Sequence, residues 1–87
     1  MTRPTRCRRI CMEPAYDSFF PDGVLTGEEV IMTLDEYETI RLIDLEEYTQ
    51  HECAKQMNIS RTTVAEIYKS ARYKMADSVV NGKQLLI

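Results

Sequence analysis

A run of helix-start and helix-stop signals between Thr49 and Ser60 constrains the fold of this chain more than any other feature. Thr49 stands three residues before Glu52, the spacing of a capping box, in which each side chain bonds the other's free backbone amide. Asn58 tolerates the left-handed conformation that ends a helix, and Ser60 is a favoured residue at a helix start. The sequence therefore predicts a short helix, a tight turn, and a second helix beginning at Arg61.

The apolar residues around this turn have the spacing of a helix-turn-helix, which is two helices joined by a turn of three or four residues. The match extends from Gln50 to Lys69. Ala54 is small where the two helices must approach closely, and Ile59 fills the corner of the turn. The predicted inward-facing residues of the two helices are Cys53, Met57, Val64 and Ile67. The alternative is an unrelated helical hairpin with the same packing needs.

An earlier helix is predicted from a second capping box, formed by Thr33 and Glu36. We expect this helix to run from Leu34 to about Glu47. Its apolar residues spread around more than half of the helix circumference, so we expect it to pack on two sides. These residues are Tyr37, Ile40, Leu42, Ile43 and Leu45. The helix that begins at Arg61 is predicted to continue to about Val80, before the stop signal Asn81-Gly82.

The two ends of the chain lack helical patterns. Residues 1–28 form a basic arm and an irregular lead-in, in which Arg9–Met12 is a candidate strand. Val30–Met32 is a second candidate strand, and the apolar tail Lys83–Ile87 is a candidate closing strand. The fold class expected is mainly α: a single domain over residues 1–87. It contains a three-helix unit with a helix-turn-helix over residues 33–80, a tail at 81–87, and short extended or strand segments at both ends.

The net charge of −3 conceals a very uneven distribution of charge along the chain. Residues 1–12 carry +4, residues 13–52 carry −11, and residues 53–87 carry +4. The local field at a contact surface, and not the total charge, decides whether phosphate is attracted. The charges are thus compatible with DNA binding at the basic parts, and equally with a solvated acidic face on an ordinary protein.

The helix beginning at Arg61 supplies the main candidate DNA contacts. Its apolar face comprises Val64, Ile67, Tyr68, Ala71, Met75 and Val79. The opposite face comprises Thr62, Glu66, Lys69 and Tyr73, of which the first three are candidate DNA contacts. In a helix-turn-helix the first residues of the second helix contact base edges in the major groove. Arg61 can bond a guanine in bidentate fashion, and Thr62 or Thr63 can contact a thymine methyl group or a phosphate.

Other residues are candidates for the phosphate backbone, which positions a protein without specifying sequence. They are Lys69, Arg72 and Lys74 on the second helix, Ser60 at its cap, and Thr49 and Gln50 at the start of the first. The basic arm adds Arg3, Arg6, Arg8 and Arg9, which can enter a minor groove. The alternatives are plain solvated surface for the helical residues and a disordered tail for the arm.

The three cysteines are expected to be free thiols, because an odd number in a reducing compartment argues against a disulfide framework. Cys7 and Cys11 are weak metal candidates with ligand-like spacing. His51 and Cys53 are poorly suited to complete that site, because residues two apart on a helix point in different directions. We therefore expect no metal and no cofactor.

Catalysis, export and membrane insertion find no support in the sequence. There is one histidine, no glycine-rich phosphate loop, and no nucleophile–base pair at a recognised spacing. No apolar run approaches the length of a membrane helix, and no apolar segment follows the basic N-terminus as in a signal peptide. We expect a cytoplasmic protein without enzymatic activity or a small-molecule substrate. We also expect a homodimer, because the core of so short a chain is small; the basic arm and the tail Leu85–Ile87 are the candidate subunit contacts.

The whole chain resembles uncharacterised protein family 0251, also called domain of unknown function 134. The first matching motifs are Arg-Pro-x-x-Cys-Arg-Arg at Arg3–Arg9 and, in the first helix, Leu34–Glu38 with Arg41-Leu42 and Asp44–Glu46. The others are Ser60-Arg61-x-Thr63, Ser70-Ala71-Arg72-x-Lys74 and Val80–Lys83. The central part resembles region 4 of sigma factors. The resemblance implies DNA binding and regulation of transcription. Asn58 replaces a more usual glycine, and Thr62 stands where the family often has glutamine. The remaining alternative is a protein-interaction module of the same fold.

Overall fold

The computed structural model describes residues 13–23 and 27–87. Three helices and a small sheet make the protein mainly α, as expected. The elements in chain order are β1 (Ser18–Phe19), β2 (Glu29–Ile31), α1 (Leu34–Ile40) with a π-helical turn (Arg41–Leu45), α2 (Gln50–Met57), α3 (Arg61–Asn81) and β3 (Gln84–Leu86). Within the described ranges, no helix has the length and apolar character that a membrane crossing requires.

The predicted helix boundaries are confirmed where a local capping signal specified them. Both capping boxes form, with the side chains of Thr33 and Thr49 each accepting the amide three residues later. Asn58 ends α2 in the left-handed region at φ 62° and ψ 44°. Gly82 ends α3 in the same region at φ 67°, which a residue without a side chain adopts freely.

The end of the first helix differs from the prediction. Instead of continuing to Glu47, α1 passes into the π-helical turn at Arg41, where the Glu46 amide donates to the Arg41 carbonyl at 3.0 Å. The wider turn inserts an extra residue and breaks the 3.6-residue period on which the prediction rested. As a consequence, Leu45 is exposed, although the sequence predicted it among the packing residues of this helix.

The two strands that precede the helices and the C-terminal strand form one sheet, in the order β1-β3-β2. The C-terminal strand β3 is central, antiparallel to β1 with Phe19 opposite Leu85 and parallel to β2 with Val30 opposite Leu85. The expected strands at Val30 and in the tail are thus confirmed. The candidate strand Arg9–Met12 lies outside the described residues.

The main cluster of buried apolar residues lies between the π-helical turn, α2 and the first half of α3. Its members are Leu42, Cys53, Ala54, Met57 and Val64, with Ile43, Tyr48 and Ile59 packed against them. On α3 only Val64 and Ala71 are buried. Met75 and Val79, which were predicted on the buried face of that helix, are exposed. The reason is that α1 and the sheet leave an open cleft beside this part of α3, which both side chains line.

Candidate nucleic-acid interface

The unit formed by α2, the turn and α3 is held by a short set of packed apolar residues. Cys53 and Met57 of α2 and Val64 of α3 have no exposed surface, and Ala54 is nearly as buried. The Ile59 amide donates to the Ala54 carbonyl at 3.0 Å, which closes the turn directly after the left-handed Asn58. The first turns of α3 are therefore fixed relative to α2.

Ser60 and Thr63 form the cap of α3. The Ser60 hydroxyl oxygen accepts the Thr63 amide at 3.1 Å, and the two hydroxyl oxygens lie 2.8 Å apart. Both residues were predicted DNA contacts. The structure gives them a local role in starting the helix, and Thr63 is half-buried.

Four predicted contact residues lie together on the outer side of α3. Arg61, Thr62, Glu66 and Lys69 are all exposed, as the helical period predicted. Among residues 13–23 and 27–87, no side-chain hydrogen bond or ion pair engages any of the four. Their polar groups are therefore free to contact another molecule.

Arg72 lies on the flank of this surface, beside an aromatic ring. Its guanidinium carbon is 5.3 Å from the centre of the Tyr68 ring, a cation–π arrangement. The Tyr68 hydroxyl donates to Asp44 Oδ1 at 2.7 Å. This hydrogen bond raises the pKa of Tyr68, because it stabilises the neutral phenol. The hydrogen bond between Tyr68 and Asp44 joins α3 to the π-helical turn. The sequence pattern did not predict this contact.

Lys74, a predicted phosphate contact, instead bonds to other residues of the same chain. Its Nζ lies 2.8 Å from Glu36 Oε1 and 2.7 Å from the Ile31 carbonyl oxygen. The Ser70 hydroxyl donates to Glu36 Oε2 at 2.6 Å. Burial pushes the pKa of Glu36 upward, but the hydrogen bonds from Lys74 and Ser70 outweigh it and leave that pKa below its usual value. This cluster ties α3 to α1 and β2.

The start of α2 is poorly suited to phosphate. The Thr49 amide donates to the Glu52 carboxylate at 2.8 Å, and the Glu52 amide donates to the Thr49 hydroxyl oxygen at 3.0 Å. The capping box thus already uses these two amides. Exposed carboxylates at Glu46, Glu47 and Glu52 stand close by in sequence, and Gln50 is half-buried.

A fully buried carboxylate supports the unit from the side of α1. Glu38 accepts from Arg41 Nε at 3.0 Å and from a second guanidinium nitrogen at 2.9 Å. The hydrogen bonds to Glu38 raise the pKa of Arg41. The sequence did not predict the burial of Glu38 or its pairing with Arg41 beside the core residue Leu42. A charged residue in a helix is ordinarily expected to face solvent.

The arginines of the basic arm and both weak metal candidates fall outside the described residues: Arg3, Arg6, Arg8, Arg9, Cys7 and Cys11. Cys53 is a buried free thiol whose pKa is raised by burial, and its sulfur lies 3.6 Å from that of Met57. His51 is exposed, so it points away from Cys53. The part of the chain that the structure describes holds no group of three or more metal-ligating side chains.

Fold and site together define a small, mainly α-helical protein with a tightly turned helix pair and an exposed, polar helix start. Residues 1–87 match the family described as protein of unknown function DUF134, and the chain belongs to that family. The membership in this family that the sequence motifs indicated is therefore confirmed.

Three relatives illustrate the range of similarity. A UPF0251 protein of Desulfitobacterium hafniense is 55% identical over all of this chain and 71% of its own length. One from Thermoanaerobacter pseudethanolicus is 47% identical over all of this chain and 75% of its own. One from Aeromonas salmonicida is 44% identical over all of this chain and 87% of its own. No solved structure matches the chain.

Proposed function

We propose that this protein binds double-stranded DNA in a sequence-specific manner and regulates transcription, with α2, the turn and α3 acting as a helix-turn-helix of the sigma region 4 type. One observation carries the proposal. The start of α3 is anchored by a buried inner face at Val64, while Arg61, Thr62 and Lys69 project outward without a partner in the described chain. Such a helix start is what enters a major groove in this class of motif.

Within this proposal the outer residues of α3 have separate roles. Arg61 bonds a guanine edge, Thr62 contacts a thymine methyl group, and Glu66 accepts from a cytosine amino group. Lys69 and Arg72 contact phosphates. Lys74 and the start of α2 have no assigned DNA contact, because their groups are already used within the molecule. The arginines of the basic arm are assigned to the minor groove.

A second candidate function is an interaction module for a basic protein partner. The observation that favours it is the presence of three exposed acidic residues, Glu46, Glu47 and Glu52, near the junction of the π-helical turn and α2. A basic partner would dock there by charge complementarity. Such a module would show no preference among DNA sequences.

The proposal is tested by selecting random and genomic duplex DNA on the purified protein at two salt concentrations. We expect recovery of a defined motif, with affinity that falls steeply with salt; about six phosphate contacts correspond to a loss of roughly a thousandfold or more between 50 and 200 mM salt. Weak binding without an enriched motif would contradict sequence-specific binding and favour the interaction module.

A further inference from the structure

Tyr68 contacts two charged side chains that belong to different elements. The helical period predicted it on the apolar face of α3, but its side chain is only half-buried. Its hydroxyl donates to Asp44 Oδ1 at 2.7 Å, and its ring lies beneath the Arg72 guanidinium, whose central carbon is 5.3 Å from the ring centre. One aromatic side chain therefore connects an acidic residue of the π-helical turn with a basic residue of α3.

Asp44 restrains the Tyr68 ring from outside α3. The backbone of α3 fixes one end of the side chain, and the hydroxyl hydrogen bond, whose length is typical of an O–H donor, fixes the other. Asp44 lies in the π-helical turn, which the buried Leu42 packs against α2 and α3. The Tyr68 ring therefore has little freedom to change its rotamer.

The Tyr68 ring in turn restricts the positions of Arg72. The face of an aromatic ring attracts a guanidinium, and residues four apart on a helix are neighbours on its surface. Arg72 is exposed, and no carboxylate within the described ranges forms an ion pair with it. Its N–H donors are thus available to an anion, while its long side chain has already lost part of its rotamer freedom.

Arg72 projects from nearly the same side of α3 as Arg61. It follows Arg61 by eleven residues within one helix, which at about 100° each is three turns and about 20°, and at about 1.5 Å each is about 16 Å along the axis. The major groove is about 12 Å wide. When the start of α3 contacts base edges, a residue about 16 Å farther along that side lies near the backbone that borders the groove.

We propose that Tyr68 and Asp44 are positioning residues that hold Arg72 in place for a phosphate of the DNA backbone, an inference that rests on the proposed function. The recognised group is a phosphodiester, which carries no sequence information. Tyr68 raises the affinity through Arg72, because a cation ordered before binding loses less entropy at the contact. The π-helical turn, which lies outside the helix-turn-helix, thereby contributes to the DNA-binding surface.

The test measures binding of a mixed-sequence DNA duplex to the purified full chain at several salt concentrations. It compares the parent with Tyr68→Leu, Arg72→Ala and the double variant, since such a cycle isolates the coupling between two residues in contact. Tyr73→Leu, alone and with Arg72→Ala, is the matched control. Tyr73 is 72% exposed and adjacent to Arg72, and within the described part of the chain its ring makes no cation–π contact. Circular dichroism checks that every variant is folded.

We expect Tyr68→Leu to weaken binding about two- to fivefold, the range of an exposed cation–π contact, and to lower the salt slope toward that of Arg72→Ala. Because this substitution removes no charge, a lower slope reports a cation that no longer reaches phosphate. In the Arg72→Ala background the same substitution should change the affinity by less than about twofold. Tyr73→Leu should have equal effects in both backgrounds. Tyr68→Phe keeps the ring but loses the bond to Asp44, and should bind between the parent and Tyr68→Leu.

The outcomes separate this inference from the proposed function. Equal effects of Tyr68→Leu with and without Arg72 overturn the positioning role and leave the proposed function intact. A parent that binds the mixed-sequence duplex but selects no motif loses the proposed sequence specificity, while the cycle still decides the role of Tyr68, because phosphate contacts also operate in non-specific binding. A parent that binds no duplex overturns both.

Discussion

Glu38 shows how far a single residue can depart from the usual preference of its type. Carboxylates are almost never fully buried unless they are paired. Glu38 meets this condition through two hydrogen bonds from Arg41, whose guanidinium geometry matches a carboxylate. A guanidinium nitrogen of Arg41 also lies 3.7 Å from a carboxylate oxygen of Glu46, whose side chain is half-exposed. Glu38 is buried and Arg41 is half-buried, and Arg41 directly precedes Leu42, a core residue of the element against which α2 and α3 pack.

Removing the buried charge alone should destabilise the fold strongly. Glu38→Gln leaves the Arg41 guanidinium without its main counter-charge, and we expect a loss of about 3 kcal/mol in the free energy of unfolding. Glu46→Gln is the matched control and should cost less than about 1 kcal/mol, because that carboxylate is exposed and its contact is long. Urea unfolding of both variants measures the difference. Equal losses would show that Glu38 contributes no more than a surface ion pair.

At the scale of secondary structure, the turn between α2 and α3 depends on the left-handed conformation of Asn58. Alanine is disfavoured in this region by its side chain, whereas glycine adopts it freely. We expect Asn58→Ala to lower the free energy of unfolding by about 1 kcal/mol. Asn58→Gly should be neutral or stabilising. Thermal unfolding followed by circular dichroism compares the two variants, and a more stable alanine variant would contradict this account of the turn.

Local signals explain which elements could be predicted from the sequence. Thr33, Thr49, Ser60 and Gly82 each determine a helix boundary through neighbours within five residues, so the three helices were predictable. The pairing of β1 with β3 was not, because Ser18 and Leu86 are far apart in sequence and β1 has only two residues. The π-helical turn after Ile40 also carries no periodic signal of its own.

Across the whole molecule, α3 changes character along its length. Its first half is buried on one side and polar on the other, and the exposure of Arg61 and Lys69 followed from helical periodicity. Its second half leaves Val79 exposed beside an open cleft, which periodicity could not indicate because it depends on how closely the neighbouring elements pack. The engagement of Lys74 with Glu36 was likewise unpredictable, since it joins residues of different elements.

The most direct test of the DNA-contact surface compares the DNA motifs selected by the parent, Arg61→Ala and Lys69→Ala at one salt concentration. The parent should yield a defined motif. Arg61→Ala should lose roughly 1–3 kcal/mol of discrimination at one base-pair position. Lys69→Ala should keep the motif, bind all sequences more weakly, and lower the salt slope by about one. An Arg61→Ala protein that selects the parent motif with undiminished preference would contradict the account.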